Sequence, residues 1–118
     1  MDVSFISIKL ILPALYACMA SDAQAVALIK PQFEAGRQFV GKNGVVRDEG
    51  VRLAVMEDIL QFAAQTGYAI CGMDYSPIKG PKGNVEFLLW LSKDKWQGMA
   101  LSDALLQAKT IVRQAQNM

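Results

Sequence analysis

The sequence predicts an α/β fold in one small domain, and three observations support this prediction. Apolar runs of strand length alternate along the chain with segments in which apolar residues recur at helical spacing. Of the 118 residues, 53% are hydrophobic and 19% are charged, which is typical of a folded chain with one buried core. A turn rich in proline, glycine and lysine at 77–83 separates two of the predicted strands.

The predicted strands are short runs dominated by apolar residues. The run at 2–6 indicates the end of a buried strand. The run at 24–29 is almost continuously apolar, which is typical of a parallel strand covered on both faces. Two further strands are predicted at 68–75 and 84–91, joined by the turn at 77–83.

The segment between the first two strands permits more than one interpretation. Ser7 is placed to cap a helix at 8–20, which is apolar on most sides and therefore expected to be internal, with Pro13 distorting its first turns. The same stretch, ending in small residues at 23–25, resembles a signal peptide, although no basic cluster precedes it. Cleavage there would sever the apolar run that follows, which favours the helix. The residues LYAC at 15–18 suggest a third interpretation, an exported lipid-anchored protein.

The second half of the chain carries clearer helix signals. Residues 31–49 are expected to form a long loop with three glycines. Asp48 is placed to cap a helix that extends to about Thr66 and ends at Gly67. Ser102 is placed to cap a last helix that ends near 116.

Three ionisable residues lie at the tips of apolar runs, and these are Asp2, Lys30 and Glu86. An ionised carboxylate in a dry strand costs several kcal/mol unless another group pairs with it, so Glu86 indicates a partner such as Lys30. Taken singly, Lys30 is also explained as a solvated strand end and Glu86 as a surface residue of an edge strand. Together they indicate a reaction centre at one edge of an α/β sheet.

Three segments in register resemble the TlyA (hemolysin A) family, whose members are ribosomal RNA ribose 2′-O-methyltransferases with an FtsJ-like catalytic domain. These segments are DVSFIS at 2–7, ALIKPQFEAGR at 27–37 and GPKGNVEF at 80–87, and the loop GKNGVVRD at 41–48 also fits. Each motif is weak by itself, and the signal lies in their order and spacing from Asp2 to about Lys93.

The resemblance implies that the α/β fold is the second half of a Rossmann-like S-adenosylmethionine-dependent methyltransferase sheet, a mixed sheet with helices on both faces. Residues 1–93 would form the C-terminal part of the FtsJ-like domain, and 94–118 a linker and a helix packed on it. The family's Gly-rich cofactor loop has no counterpart, because the nearest similar stretch, 80–83, lies in a strand-to-strand turn. We therefore expect an incomplete domain that is inactive alone and whose bared sheet edge favours self-association.

The resemblance also implies roles for individual residues in a cytoplasmic enzyme that acts on ribosomal RNA. Lys30 would serve as the base or stabilise the developing alkoxide, Glu86 would orient Lys30, and Asp2 would lie near the methyl donor. Two carboxylates favour the charged ammonium, so that Lys30 acts as a base only where cationic groups oppose them. The predicted contacts to S-adenosylmethionine are Asp2, Ser4 and Phe5. The predicted contacts to RNA are Arg37, Lys42, Arg47, Lys79, Lys82 and Asn84.

Composition limits the other possibilities. The formal net charge is only +1, so RNA binding would depend on local basic loops, whose side chains are equally explained as solvated surface. Asn84 is also explained as a turn residue. The chain has no histidine, and Cys18 and Cys71 form no metal-binding pair, so we expect no metal site and two reduced core thiols. No membrane partner is expected, and the alternative function is a non-catalytic RNA- or protein-binding α/β module.

Overall fold

The computed structural model describes residues 8–35, 45–77, 83–94 and 98–116. Helices and strands alternate along this part of the chain. In chain order they are α1 (Ile8–Cys18), β1 (Gln24–Ile29), α2 (Pro31–Glu34), α3 (Glu49–Thr66), β2 (Ala69–Tyr75), β3 (Phe87–Ser92) and α4 (Leu101–Ala115). The predicted α/β class is confirmed, and the strand predicted at 2–6 lies outside the described residues.

The described strands form one sheet in the order β1-β3-β2, in which each neighbouring pair is antiparallel. The two outer strands therefore run in the same direction on either side of β3. Ile29 of β1 and Tyr75 of β2 both pair with Phe87 at one end of β3. The prediction that β1 is a parallel strand is wrong for its described neighbour β3, which runs antiparallel to it. The strand that runs in the same direction as β1 is β2, and β3 lies between them.

The sheet buries one of its two faces in the described structure. The strand residues of the core all lie on that face, and they are Ala27, Ile29, Ile70, Phe87, Leu89 and Leu91. They pack with residues of α1, α3 and α4. Val26 and Trp90 pair with each other on the opposite face, where they are 53% and 45% exposed. Within the described residues, the helices thus pack on one face of the sheet, and β1 is covered by them on that side.

Helix α1 lies on the surface of this core. Ile8 and Leu12 are buried, whereas Leu10 is 72% exposed, so the prediction of an internal helix is wrong. Cys18 at its end is exposed and Cys71 is half-buried, which corrects the prediction of two core thiols. A helix that packs on the core with a single stripe exposes its other apolar residues to solvent.

Side chains from distant segments bind both ends of α1. The Ile8 amide donates to Oε1 of Glu34 over 2.7 Å. At the other end, Nζ of Lys93 donates to the carbonyl oxygens of Tyr16 and Met19 over 2.9 and 3.0 Å. These bonds satisfy groups that helix termini leave open, and the ammonium lies at the negative end of the helix dipole. Ser7, the predicted cap, lies outside the described residues.

Helix α3 has the predicted boundaries. Oδ1 of Asp48 accepts a hydrogen bond from the Val51 amide over 3.1 Å, which confirms the predicted cap. The helix ends at Gly67, whose φ of 122° is in the region that favours glycine. A Cβ atom at this position would lie 2.8 Å from the hydroxyl of Tyr16, so α1 also requires the small residue.

Two other predicted boundaries are wrong. Helix α4 begins at Leu101 after an extended Ala100, which makes no side-chain cap, and Ser102 lies inside the first turn. Strand β3 begins at Phe87 and not at Asn84, since the Asn84 side chain bonds to another segment. The predicted loop at 31–49 contains the short helix α2.

Candidate active site

The strand register brings Lys30 and Glu86 to the same end of the sheet. Ile29 pairs with Phe87, and Lys30 and Glu86 are the next residues outward on their two segments. Lys30 keeps an extended backbone with φ −111° and ψ 100°, so the strand geometry continues to it. Since directly opposite residues of antiparallel strands have Cα atoms about 4.5–5.5 Å apart, the two side chains originate from neighbouring positions.

Glu86 is a buried acid on the segment that leads into the central strand of the described sheet. Its side chain is 7% exposed, and its carbonyl oxygen accepts a hydrogen bond from the Ser76 amide over 2.8 Å. Oε2 has no hydrogen-bond partner among the described residues. The alternative interpretation as a surface residue of an edge strand is therefore wrong. A buried carboxylate oxygen without a partner is unfavourable for folding and typical of a position kept for binding or catalysis.

Lys30 is half-buried and is the residue before α2. The following Pro31 is fully buried and begins that helix, which fixes the direction in which the chain leaves β1. Nζ of Lys30 lies 6.0 Å from the centroid of the Phe33 ring, at the outer limit of a cation–π contact. Oε1 of Gln32 in the same helix is a second buried acceptor without a hydrogen-bond partner among the described residues. Two such acceptors thus flank Lys30, one along the chain and one across the sheet.

The segment before α3 is bound next to this site by two buried side chains. Asn84 is 2% exposed, and its Oδ1 accepts a hydrogen bond from the Val46 amide over 3.0 Å. The Val46 carbonyl accepts from Nε and Nη2 of Arg52 over 3.1 and 2.9 Å. Nη1 of Arg52 donates to Oε1 of Gln116 at the end of α4. Arg52 is 6% exposed, and this burial lowers the pKa of its guanidinium below the ordinary value.

The sequence analysis missed Arg52, although one signal pointed to it. Arg52 has the helical spacing of Val55, Met56 and Ile59, which are all core residues of α3. A charged residue at a core position of a helix is unusual and indicates a buried partner.

The two predicted RNA contacts in the described residues, Arg47 and Asn84, differ in exposure. Arg47 is exposed, as a phosphate contact requires. Asn84 is interior and binds Val46, so its predicted contact with RNA is not supported by its position. The other predicted residues lie outside the described ranges, and these are the cofactor and catalytic positions Asp2, Ser4 and Phe5 and the RNA positions Arg37, Lys42, Lys79 and Lys82.

The sequence matches the model of a known protein family. The profile of the family described as FtsJ-like methyltransferase matches residues 1–93, and the chain belongs to that family. It is 46% identical over 112 residues to a Bacillus subtilis protein named "Putative rRNA methyltransferase YqxC", covering 95% of this chain and 39% of that protein. It is also 46% identical over 90 residues to the Mycobacterium tuberculosis protein named 16S/23S rRNA (cytidine-2′-O)-methyltransferase TlyA, covering 76% and 34% of the two chains. The predicted resemblance to the TlyA family is confirmed.

A solved structure shows the same fold. The crystal structure titled as a putative hemolysin from Lactococcus lactis superposes with a TM-score of 0.78 at 47% identity, covering 90% of this chain and 52% of that one. The chain spans about two fifths of the length of the Bacillus relative. Within the described ranges, no helix has the length and apolar character that crossing a bilayer requires.

Proposed function

We propose that this chain forms the catalytic part of an S-adenosylmethionine-dependent RNA ribose 2′-O-methyltransferase that acts on ribosomal RNA. The observation that supports this most strongly is the buried Glu86, whose Oε2 has no hydrogen-bond partner in the described part of the chain and which lies one step beyond the last strand pair, opposite Lys30. Family membership and the relatives named as ribosomal RNA methyltransferases agree with it. A cytoplasmic location follows from that substrate.

The geometry suits removal of a proton from a ribose hydroxyl. A ribose hydroxyl that enters beside Lys30 would donate its one proton towards Nζ of the neutral amine, while Oε2 of Glu86, which has no partner among the described residues, would accept an N–H of the same amine. Lys30 would then take the proton or stabilise the alkoxide, while Glu86 orients the ammonium. Asp2 is proposed for the side of the methyl donor. The burial of Glu86 lowers the local dielectric constant around its carboxylate, which strengthens its electrostatic effect on Lys30.

Glu86 and Gln32 are the described residues that we propose for the reacting end of the cofactor site. S-adenosylmethionine, when bound, supplies a methyl group to the nucleophile. Oε2 of Glu86 and Oε1 of Gln32 have no partner within the described ranges and would accept hydrogen bonds from donor groups of a bound nucleotide-like molecule. Asp2, Ser4 and Phe5 are proposed as its holders. The RNA backbone is proposed to contact Arg47 and the basic loop residues Arg37, Lys42, Lys79 and Lys82.

A chimera tests this function directly. The chain replaces the matching part of the Bacillus relative, and the product is assayed for transfer of labelled methyl groups to ribosomal RNA, with nucleoside mass spectrometry to locate the methyl group. We expect 2′-O-methylated nucleosides. Because general base catalysis contributes about 10² to 10⁴-fold, Lys30→Ala should lower the turnover rate by at least about a hundredfold with RNA affinity retained.

The matched control is Lys9→Ala, which removes a partly exposed lysine that bridges to Asp58 on the surface. This variant should keep full activity, since surface ion pairs contribute little. Methyl groups found only on bases, or a Lys30→Ala variant as active as the Lys9→Ala control, would contradict the proposed function.

The exposed sheet face favours a second candidate, a binding module. Val26 and Trp90 present apolar surface next to each other on this face. Association with another polypeptide, including a second copy through the sheet, would cover it. Sedimentation equilibrium of the isolated chain and of Trp90→Lys distinguishes the cases: self-association that the substitution abolishes supports this candidate, and a monomer in both cases removes it.

A further inference from the structure

The Val46 peptide is held from both of its polar sides by buried side chains. Asn84 binds its amide over 3.0 Å, and Arg52 binds its carbonyl over 3.1 and 2.9 Å. Gln116 in turn accepts a hydrogen bond from Arg52. We call Asn84, Arg52 and Gln116 the Val46 clamp. It joins the segment before α3, the segment before β3 and the end of α4.

We infer that the Val46 clamp positions Glu86, and that Asn84 is the positioning residue through which it acts. The inference rests on the proposed function, because it gives Glu86 a reason to be held in one place. It assigns a role to Asn84 and Arg52, and to α4, which lies entirely beyond the residues that match the family profile.

First, Asn84 lies close to Glu86 along the chain. Asn84 and Glu86 are separated by Val85, which is 3% exposed in the core. The Glu86 carbonyl is bound by the Ser76 amide over 2.8 Å, and the Asn84 side chain is bound by the Val46 amide. A three-residue segment fixed at both ends and buried in the middle has little freedom to rotate. The direction of the Glu86 side chain is therefore set by these two anchors.

Second, Arg52 is a buried charge. The acceptors that bind its guanidinium in the described structure are the neutral oxygens of Val46 and Gln116. A buried cation with neutral partners is less favourable for folding than an apolar residue of similar volume. Its advantage is geometric, since the planar guanidinium binds one carbonyl with two donors and a second acceptor with another. Arg52 is therefore better explained by the fixed geometry of its hydrogen bonds than by a contribution to the stability of the fold.

Third, Asn84 is buried and not available to RNA. A contact with RNA requires a side chain that solvent and ligand reach, and Asn84 is 2% exposed with its Oδ1 bound to Val46. Position and partner together agree with a positioning role two residues from Glu86.

Hydrogen exchange on the full chain, followed by NMR, tests this inference. In Asn84→Ala the Val46 amide loses its acceptor. The Ser76 amide reports on Glu86, because Ser76 donates to its carbonyl. We expect exchange at both amides to rise by about tenfold or more relative to the Leu89 amide in the core, which reports global opening. Asn84→Asp keeps an acceptor and should restore slow exchange at both.

Tyr68→Phe is the matched control. It removes one buried hydrogen bond from a side chain to a carbonyl, the 2.7 Å bond to Leu12, at the C-terminal end of α3. It should leave the ratio of Ser76 to Leu89 exchange unchanged. The ¹³C resonance of the Glu86 carboxyl group should shift in Asn84→Ala and not in Tyr68→Phe. Faster exchange at Val46 with unchanged Ser76 exchange and an unchanged Glu86 resonance would overturn the inference.

The chimera adds a catalytic measurement. A group misplaced by about 1 Å costs up to about 10²-fold in rate, so Asn84→Ala should lower kcat by about 10- to 100-fold with KM for RNA unchanged, and Asn84→Asp should recover it. Gln116→Ala should give a smaller loss in the same direction. An inactive parent chimera would count against the proposed function, while the exchange ratio in the full chain would still decide whether the Val46 clamp holds Glu86. Full activity of a folded Asn84→Ala chimera would overturn the inference.

Discussion

Replacing Glu86 with methionine should make the fold more stable. Glu86 is 7% exposed and its Oε2 has no hydrogen-bond partner among the described residues, a situation that costs about 1–3 kcal/mol. Methionine has a similar length, fills the same space and needs no hydrogen bond. Unfolding entropy scales with chain length at about 2.1 cal/mol/K per residue, so a gain of 1–3 kcal/mol in this chain corresponds to a rise in Tm of about 4 to 12 °C.

Differential scanning calorimetry and urea denaturation of the isolated chain measure this change. Asp74→Met is the matched control, because Asp74 is an exposed acid in β2 of the same sheet. The free energy of unfolding of Asp74→Met should differ from that of the unsubstituted chain by about 0.5 kcal/mol or less. If Glu86→Met lowers the free energy of unfolding by more than about 1 kcal/mol, then Glu86 is a structural residue whose carboxylate is satisfied, which contradicts this prediction.

Three further predictions concern the rest of the chain. Burial, with a contribution from Asp94, raises the pKa of the Cys71 thiol. Iodoacetamide at pH 8 should therefore label the exposed Cys18 faster than Cys71, as measured by peptide mass spectrometry, and equal labelling rates would contradict this. Gly67→Ala should destabilise the chain by about 1–3 kcal/mol in urea, because φ is 122° and the new Cβ would lie 2.8 Å from the Tyr16 hydroxyl; an unchanged midpoint would show that neither matters. Isothermal calorimetry of the isolated chain should detect no binding of S-adenosylmethionine, since the sequence lacks a Gly-rich loop after a strand, and micromolar affinity would overturn this expectation.

Local signals in the sequence predicted the helices and strands well where one residue decides the boundary. Asp48 and Gly67 delimit α3 as predicted, because capping and a left-handed backbone depend on the residues next to them. Ser102 was a wrong prediction of the same kind, since Ala100 has the extended backbone that a cap position requires.

The coverage of the sheet could not be predicted from single segments. The apolar run of β1 is equally compatible with one or two buried faces, and Val26 is exposed because the described helices pack on the opposite face of the sheet. Helix α1 shows the same limit, because its apolar composition does not say how many of its sides another element covers.

The candidate site is predictable only in the part that local sequence motifs mark. Lys30 and Glu86 stand at the ends of apolar runs, and a sequence motif marks each of them. The roles of Asn84 and Arg52 depend on Val46, which is distant from Asn84 along the chain, and no local pattern reports such a contact. The structure supplies that pairing, and with it the reason for a buried arginine in α3.

The most direct test of the central claim is a double-mutant cycle on Lys30 and Glu86 in the chimera, with kcat/KM for ribosomal RNA methylation as the measured quantity. Groups that act as one unit lose their contribution once, so we predict that Lys30→Ala with Glu86→Gln is no slower than the slower single variant. If the two losses multiply, the residues act independently, and the paired site at this end of the sheet does not exist.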